Sequence, residues 1–122
     1  MTSCNVLLID DEEDFVTSLA ERLQLRGMQV KAAIDGKTGL QLLEREPFNV
    51  VILDVMMPGM GGLEVYQHIR AIRPLIPVIL ITGHGNKEEI INKTKQNAFD
   101  YLIKPFDIDE LVKKIHEAAL TH

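Results

Sequence analysis

Four consecutive apolar residues, Val50 to Leu53, run directly into the carboxylate of Asp54. Three of the four are β-branched, and such a run is typical of a strand buried on both faces, as in a parallel sheet. Pro58-Gly59 then predicts a turn. A carboxylate at the end of a buried strand is costly unless a partner stabilises it. Asp54 is therefore either part of a structural ion pair or part of a ligand site at the carboxyl edge of a sheet.

The rest of the chain repeats this pattern of an apolar run followed by helical spacing. The predicted strands are 5–9, 29–34, 50–54, 77–82 and 99–104. Asp14, Asp35 and Asp107 are the predicted N-caps of the first, second and fifth helices. Alternating strands and helices predict a parallel sheet covered on both sides, with right-handed crossovers. The expected fold class is α/β: one doubly wound (βα)5 flavodoxin-like domain over residues 1–122, with strand order 2-1-3-4-5.

Charge and composition exclude several classes of function. The net charge is −5, from 18 acidic and 13 basic residues, which argues against a nucleic-acid-binding face and against membrane-surface binding. No apolar run is long enough to span a bilayer, and no basic segment leads into an apolar stretch at the N-terminus. Cys4 is the only cysteine, so neither an internal disulfide nor a thiolate metal cluster is expected. A cytoplasmic location is expected.

Polar side chains stand where four of the five predicted strands end. The first ends in Asp10-Asp11, the third in Asp54, the fourth in Thr82 and the fifth in Lys104. Because parallel strands end at the same edge of a sheet, these side chains are expected to converge on one crevice. Two carboxylates about 5 Å apart repel by roughly 3 kcal/mol at an effective dielectric of 20. One lysine offsets this only in part, so a divalent cation is predicted, and all-oxygen ligands favour Mg²⁺.

A cation beside a carboxylate suggests phosphoryl transfer with Asp54 as the nucleophile. The metal would neutralise phosphoryl oxygens, while Lys104 and the Thr82 hydroxyl would hold the others. The backbone carbonyl of Met56 is an acceptable further metal ligand. Taken singly, each residue has a plainer interpretation, such as a helix cap, a strand-end hydroxyl or a surface lysine. Their joint occurrence at four strand ends favours a functional site.

These residues resemble the receiver domain of two-component response regulators. The matching segments cover nearly the whole chain, in order, and are 8–12, 54–60, 81–83 and 101–106. The resemblance implies that Asp54 accepts phosphate from the phosphohistidine of a histidine kinase or phosphotransfer protein. The domain would then catalyse only its own phosphorylation and dephosphorylation. The resemblance also implies Mg²⁺ ligands, with Asp11 direct and Asp10 largely through water, together with Asp54 and the carbonyl of Met56.

A conformational switch is also implied by the resemblance. Thr82 would move toward the phosphoryl group and Tyr101 would turn inward, although Tyr101 is also compatible with an ordinary half-buried strand aromatic. This would alter the face of the fourth helix, fifth strand and fifth helix, and so control a downstream protein or domain. The fourth helix offers Ile90 and Ile91 and little else to a core, so we expect it to be loosely held. The Lys104-Pro105 peptide is expected to be cis, and the domain a monomer or a phosphorylation-dependent dimer.

Three other functions have weaker support. A phosphatase or phosphotransferase of the haloacid dehalogenase type needs a second Asp two residues after the nucleophile, where this chain has Met56. A flavin or nucleotide binder needs a phosphate-binding loop after the first strand, and the acids at 10–14 would repel phosphate. A degenerate receiver that acts only as an interaction module would usually lack an acid or the lysine. The sequence is compatible with both a stand-alone regulator and a receiver from a longer protein.

Overall fold

The protein has five parallel strands that alternate with five helices, in a computed structural model that describes residues 4–56, 61–83, 87–94 and 98–120. The elements are β1 (Asn5–Ile9), α1 (Glu13–Leu25), β2 (Gln29–Ala33), α2 (Gly36–Arg45), β3 (Val50–Asp54), α3 (Gly62–Ile72), β4 (Val78–Thr82), α4 (Lys87–Thr94), β5 (Asp100–Ile103) and α5 (Ile108–Leu120). The strand order is β2-β1-β3-β4-β5, which confirms the predicted fold class and topology. The predicted turn at Pro58-Gly59 lies outside the described residues.

Side chains alternate across the sheet and form two apolar layers. Leu7 and Leu53 belong to the layer beneath α2, α3 and α4, whereas Leu8 and Ile52 belong to the layer beneath α1 and α5. The residues of β3 and β4 are buried throughout, while β2 lies at the edge of the sheet and is largely exposed. This explains why the central strands are continuous apolar runs in the sequence. Among the helices of the described chain, none combines the length and apolarity needed to cross a bilayer.

Two of the predicted N-caps are found. Asp35 accepts hydrogen bonds from the N–H of Thr38 at 2.7 Å and from its hydroxyl at 3.1 Å, and these bonds lower the pKa of Asp35. Asp107 precedes α5 and accepts a hydrogen bond from the N–H of Asp109 at 3.2 Å. Both side chains therefore bind backbone donors that the first turn of a helix leaves unpaired.

The predicted N-cap at Asp14 is wrong. The first helix begins at Glu13, and Glu12 occupies the N-cap position without a side-chain capping bond. Asp10 accepts a hydrogen bond from the N–H of Glu12 at 3.0 Å instead, which fixes the turn between β1 and α1. Asp14 consequently falls inside the first turn of the helix, where an acid still interacts favourably with the helix dipole.

Candidate functional site

Buried polar side chains mark the carboxyl edge of the sheet. Among the residues that the structure describes, the buried polar or charged side chains are Asp10, Asp54 and Thr82. Asp10 follows β1, Asp54 ends β3 and Thr82 ends β4. Strand register places Asp10 beside Asp54, because the preceding residues Ile9 and Leu53 are paired. The predicted convergence of side chains at this edge is therefore found for Asp10, Asp54 and the Thr82 hydroxyl, whereas the third predicted carboxylate, Asp11, is exposed.

Lys104 brings its ammonium into the same group. The N–H of Lys104 donates to the carbonyl of Thr82 at 2.9 Å, which aligns the ends of β4 and β5. Its Nζ lies 2.6 Å from Glu12 Oε1, 2.8 Å from Asp10 Oδ2 and 3.3 Å from Asp54 Oδ2. The Lys104-Pro105 peptide is cis, as expected. Among the described residues, one ammonium thus faces three carboxylates, which leaves a surplus of negative charge in this group.

An aromatic ring forms a further side of the Lys104 environment. Nζ of Lys104 lies 4.3 Å from the centroid of the Phe15 ring, a distance at which the ring face attracts a cation. Phe15 in turn contacts Phe106 edge to face, with the ring centroids 6.0 Å apart. The Lys104 ammonium therefore lies between the Phe15 ring of α1 and the carboxylates.

Burial shifts the pKa of two groups in this pocket. Loss of hydration raises the pKa of Asp10 from 3.8 to about 6, against the opposing effects of Lys104 and the N–H of Glu12. The negative charge of Asp54 adds to the rise. Burial alone would lower the pKa of Lys104, but its contacts with Asp10 and Glu12 and the charge of Asp54 outweigh burial and raise it. The pocket thus favours the charged form of Lys104 and disfavours the ionised form of Asp10.

The donor set of the pocket fits a hard divalent cation. One carboxylate oxygen each from Asp10, Glu12 and Asp54 lies within 4.8 Å of the others. Asp10 Oδ2 is buried, and its contact with Lys104 has the distance of an ion pair without the angles of a hydrogen bond. Among the described residues this oxygen has no hydrogen-bond donor. A buried carboxylate oxygen whose described partner is an ion-pair contact alone, and which has acidic neighbours, is suited to an ion such as Mg²⁺.

The other predicted site residues lie around this group. Asp11 is exposed and is not part of the group formed by Asp10, Glu12 and Asp54. The N–H of Met56 donates to Asp54 Oδ1 at 2.8 Å and so orients the carboxylate. The roles of Asp11 and of the Met56 carbonyl as metal ligands remain predictions.

The two predicted switch residues have different environments. The Thr82 hydroxyl is buried and donates to the carbonyl of Gly83 at 3.4 Å, which is a long hydrogen bond. Tyr101 is half-buried on β5 and packs against the apolar layer that includes Ile90 of α4. Both residues occupy positions compatible with the expected switch, and the movement itself remains a prediction.

Glu12 was not predicted as part of the site. It belongs to the acidic run at 10–14, in which Asp10 and Asp11 are the predicted site residues and the sequence gives no sign that Glu12 also faces the pocket. The reason is that Glu12 lies in a turn, where side-chain direction does not follow the periodicity of a helix or strand. Its position depends on the hydrogen bond between its own N–H and the carboxylate of Asp10.

Comparisons with known proteins agree with this site and fold. The family model described as the response regulator receiver domain matches residues 6–116. A putative NtrX-like response regulator of Rickettsia bellii (strain RML369-C) is 40% identical over 121 residues, which are 98% of this chain and 25% of that protein. The transcriptional regulatory protein GlrR of Escherichia coli (strain K12) is 36% identical over 114 residues, which are 93% of this chain and 26% of that protein.

A solved structure gives the same result. The crystal structure of a response regulator receiver domain protein from Clostridium thermocellum matches with a TM-score of 0.90 and 32% sequence identity, over 97% of this chain and 95% of that chain. The present chain spans about a quarter of the length of the curated relatives that it matches. The family match over most of the chain and these relatives lead to one conclusion: the chain belongs to the receiver domain family of two-component response regulators.

Proposed function

We propose that this receiver domain accepts a phosphoryl group on Asp54 from the phosphohistidine of a histidine kinase or phosphotransfer protein, in a Mg²⁺-dependent reaction. The observation that carries the proposal is the contact of one ammonium, that of Lys104, with the carboxylates of Asp10, Glu12 and Asp54. The surplus negative charge attracts a divalent cation. A carboxylate nucleophile needs such a cation if an anionic phosphoryl group is to approach it.

In the transfer, a carboxylate oxygen of Asp54 attacks phosphorus. The P–N bond of the phosphohistidine breaks, and its electron pair remains on the imidazole nitrogen. Mg²⁺, when bound, would supply positive charge that neutralises phosphoryl oxygens. Asp10, Asp11, Asp54 and the carbonyl of Met56 are the proposed ligands, and Glu12 is close enough to Asp10 and Asp54 to join them.

The remaining groups of the pocket orient the Asp54 carboxylate and stabilise the negative charge of the phosphoryl group. The N–H of Met56 holds the Asp54 carboxylate through Oδ1. Lys104, now the counter-ion of the carboxylates, would pair with a phosphoryl oxygen after transfer. The Thr82 hydroxyl would exchange its long bond to the carbonyl of Gly83 for a phosphoryl oxygen. These contacts stabilise the charge that develops on the phosphoryl group without taking part in covalent chemistry.

We propose that Thr82 and Tyr101 transmit this event to the face formed by α4, β5 and α5. The bond between the N–H of Lys104 and the carbonyl of Thr82 ties the site to β5, which carries Tyr101. Movement of Thr82 toward the phosphoryl group would free space that the Tyr101 ring can enter. The altered face would then control a downstream effector protein or domain, and the net charge of −5 supports a protein partner rather than nucleic acid or membrane.

Intact-protein mass spectrometry tests the acceptor. Wild type, Asp54→Asn and Asp35→Asn are incubated with acetyl phosphate or phosphoramidate, in MgCl2 or in EDTA. We expect one added phosphoryl group in wild type and Asp35→Asn with MgCl2 only, and none in Asp54→Asn. Asp35→Asn is the matched control because Asn also serves as an N-cap.

Two results would contradict the proposal. The first is a phosphoryl group that Asp54→Asn retains, because another residue would then be the acceptor. The second is no gain of mass from either small donor or from a phosphorylated histidine kinase, which would favour a domain that acts through protein contact alone.

A further inference from the structure

Gly62 lies at the start of α3, against the backbone that follows the proposed phosphoryl acceptor. A Cβ added to Gly62 would lie 2.6 Å from the carbonyl carbon and 2.7 Å from the carbonyl oxygen of Val55, and closer still to the Val55 Cα. Ordinary contacts between such atoms are about 3.5 Å or longer. Only a residue without a Cβ therefore fits at this position.

The Val55 backbone is also held from the other side. Its N–H donates to the carbonyl of Ile81 on β4 at 3.0 Å, and the Val55 side chain is buried. Because the obstacle at Gly62 is backbone rather than a flexible side chain, a Cβ cannot be accommodated by a change of rotamer. It would displace the Val55 carbonyl by about 1 Å or move the start of α3.

The Val55 carbonyl, which the added Cβ would displace, belongs to the same peptide unit as the N–H of Met56, a group of the proposed site. The Val55 carbonyl and the Met56 N–H share one planar peptide bond, so they move together. That N–H is the donor that orients Asp54 through Oδ1 at 2.8 Å. The carbonyl of Met56, a proposed metal ligand, follows two bonds further along the chain.

We propose that Gly62 is a positioning residue of the phosphorylation site, because it lets α3 pack directly on the Val55–Met56 peptide. This inference rests on the proposed function. Metal sites tolerate displacements of about 0.2 Å in their ligands. A shift of about 1 Å in this peptide therefore predicts Mg²⁺ binding at least tenfold weaker in Gly62→Ala.

Titration of the protein with MgCl2, followed by the backbone amide signals in NMR, measures this effect. Gly61→Ala is the matched control, because a Cβ on Gly61 meets nothing within 4 Å. Gly39→Ala controls for stability: its Cβ would lie 2.5 Å from Cδ1 and 2.7 Å from Cγ1 of Ile9, within the core beneath α2. We expect Kd to rise at least tenfold in Gly62→Ala and to stay at the wild-type value in both controls, although Gly39→Ala unfolds at a lower temperature.

The wild-type protein provides a second measurement if Gly62→Ala does not fold. The amide signals of Met56 and Gly62 should shift along the same MgCl2 titration curve, while that of Gly39 stays in place. A Gly62 signal that is unchanged while Met56 responds would overturn the inference, as would a folded Gly62→Ala with wild-type Kd. Failure of the proposed function would look different, since Mg²⁺ would then shift no signal at Asp10, Asp54 or Met56 in wild type.

Discussion

The two edges of the sheet hold charged side chains in opposite ways. At the amino edge, guanidinium groups bind backbone carbonyls. Nη2 of Arg73 lies 2.9 Å from the carbonyl oxygen of Leu43 and 3.4 Å from that of Glu46, and Nη1 of Arg70 lies 2.6 Å from that of Ile76. The first two carbonyls belong to the C-terminal end of α2, where cations are favoured by the helix dipole. Charge at this edge therefore stabilises the fold.

At the carboxyl edge, the carboxylates among the described residues outnumber the one ammonium that pairs with them. Asp10, Glu12 and Asp54 share the ammonium of Lys104, and burial raises the pKa of Asp10 to about 6. Partly desolvated carboxylates in excess of cations destabilise a fold. The contrast supports the proposal that the carboxyl edge binds a cation, whereas the contacts at the amino edge stabilise the fold. Removing a charged group should therefore lower the free energy of unfolding at some positions and raise it at others.

Removal of the Lys104 charge should produce the largest change. Lys104→Met leaves three carboxylates without their cation, so we expect the free energy of unfolding in EDTA at pH 7.5 to fall by about 3 kcal/mol. MgCl2 should restore most of the loss, because the ion replaces the missing charge. Urea unfolding with and without MgCl2 measures both quantities.

Lys114→Met is the control for that experiment. In the part of the chain that the structure describes, Lys114 pairs with one carboxylate, that of Asp100 at 2.6 Å, and both side chains are partly exposed. We expect a loss of about 1 kcal/mol or less, with no restoration specific to MgCl2. A loss in Lys104→Met that MgCl2 does not reverse would contradict the view that Lys104 acts as counter-ion of a metal pocket.

Asp10→Asn should instead stabilise the metal-free protein, by about 2 kcal/mol at pH 7.5. The variant removes a charge that burial disfavours and keeps an oxygen that can accept the Glu12 N–H. The Mg²⁺-induced stabilisation should be lost at the same time. Thermal unfolding in EDTA and in MgCl2 tests both parts, and a destabilised Asp10→Asn would show that Asp10 stabilises the fold.

The pH dependence of this gain has a defined sign. The pKa of Asp10 is raised in the folded protein from 3.8 to about 6. Between these values the folded state binds more protons at Asp10 than the unfolded state, so the contribution of Asp10 to stability falls as pH rises. The advantage of Asp10→Asn over wild type should therefore be small near pH 4, grow up to about pH 6 and stay constant above it.

Arg73→Met should destabilise the protein by about 1–2 kcal/mol, independently of MgCl2. The guanidinium donates to two carbonyls at the end of α2, and hydrogen bonds from charged donors contribute about this amount. Arg45→Met is the control, because Arg45 is an exposed residue of the last turn of α2. An Arg73→Met loss that depends on Mg²⁺ would mean that the two edges are not independent.

The same contrast explains how much of the molecule could be predicted from its sequence. Strand periodicity and β-branched runs predicted the sheet, because β3 and β4 are buried on both faces. Parallel strands end together, so the convergence of Asp10, Asp54 and Lys104 followed from topology alone. In these regular elements, the backbone determines where each side chain points.

Turns between elements do not give that information. The N-cap predicted at Asp14 was wrong, and Glu12 was missed, because the acidic turn between β1 and α1 follows the hydrogen bond from Glu12 N–H to Asp10. The contact that makes Gly62 important also did not follow from the sequence, which places both Gly61 and Gly62 at the start of the third helix. Only the approach of α3 to Val55 distinguishes them.

Glu12→Gln should give the smallest change in stability and still be informative. The Glu12 side chain is 62% exposed, so its ion pair with Lys104 contributes less than about 1 kcal/mol. The Glu12 carboxylate would nevertheless attract a divalent ion between Asp10 and Asp54 from a distance of about 5 Å. Loss of this attraction in Glu12→Gln predicts Mg²⁺ binding about threefold to tenfold weaker. Glu13→Gln, which alters the exposed neighbour in the same acidic run, should leave both quantities unchanged. Unchanged Mg²⁺ affinity in Glu12→Gln would mean that Glu12 pairs with Lys104 and does not contribute to ion binding. A loss of affinity well beyond tenfold would indicate that Glu12 is a direct ligand of the ion.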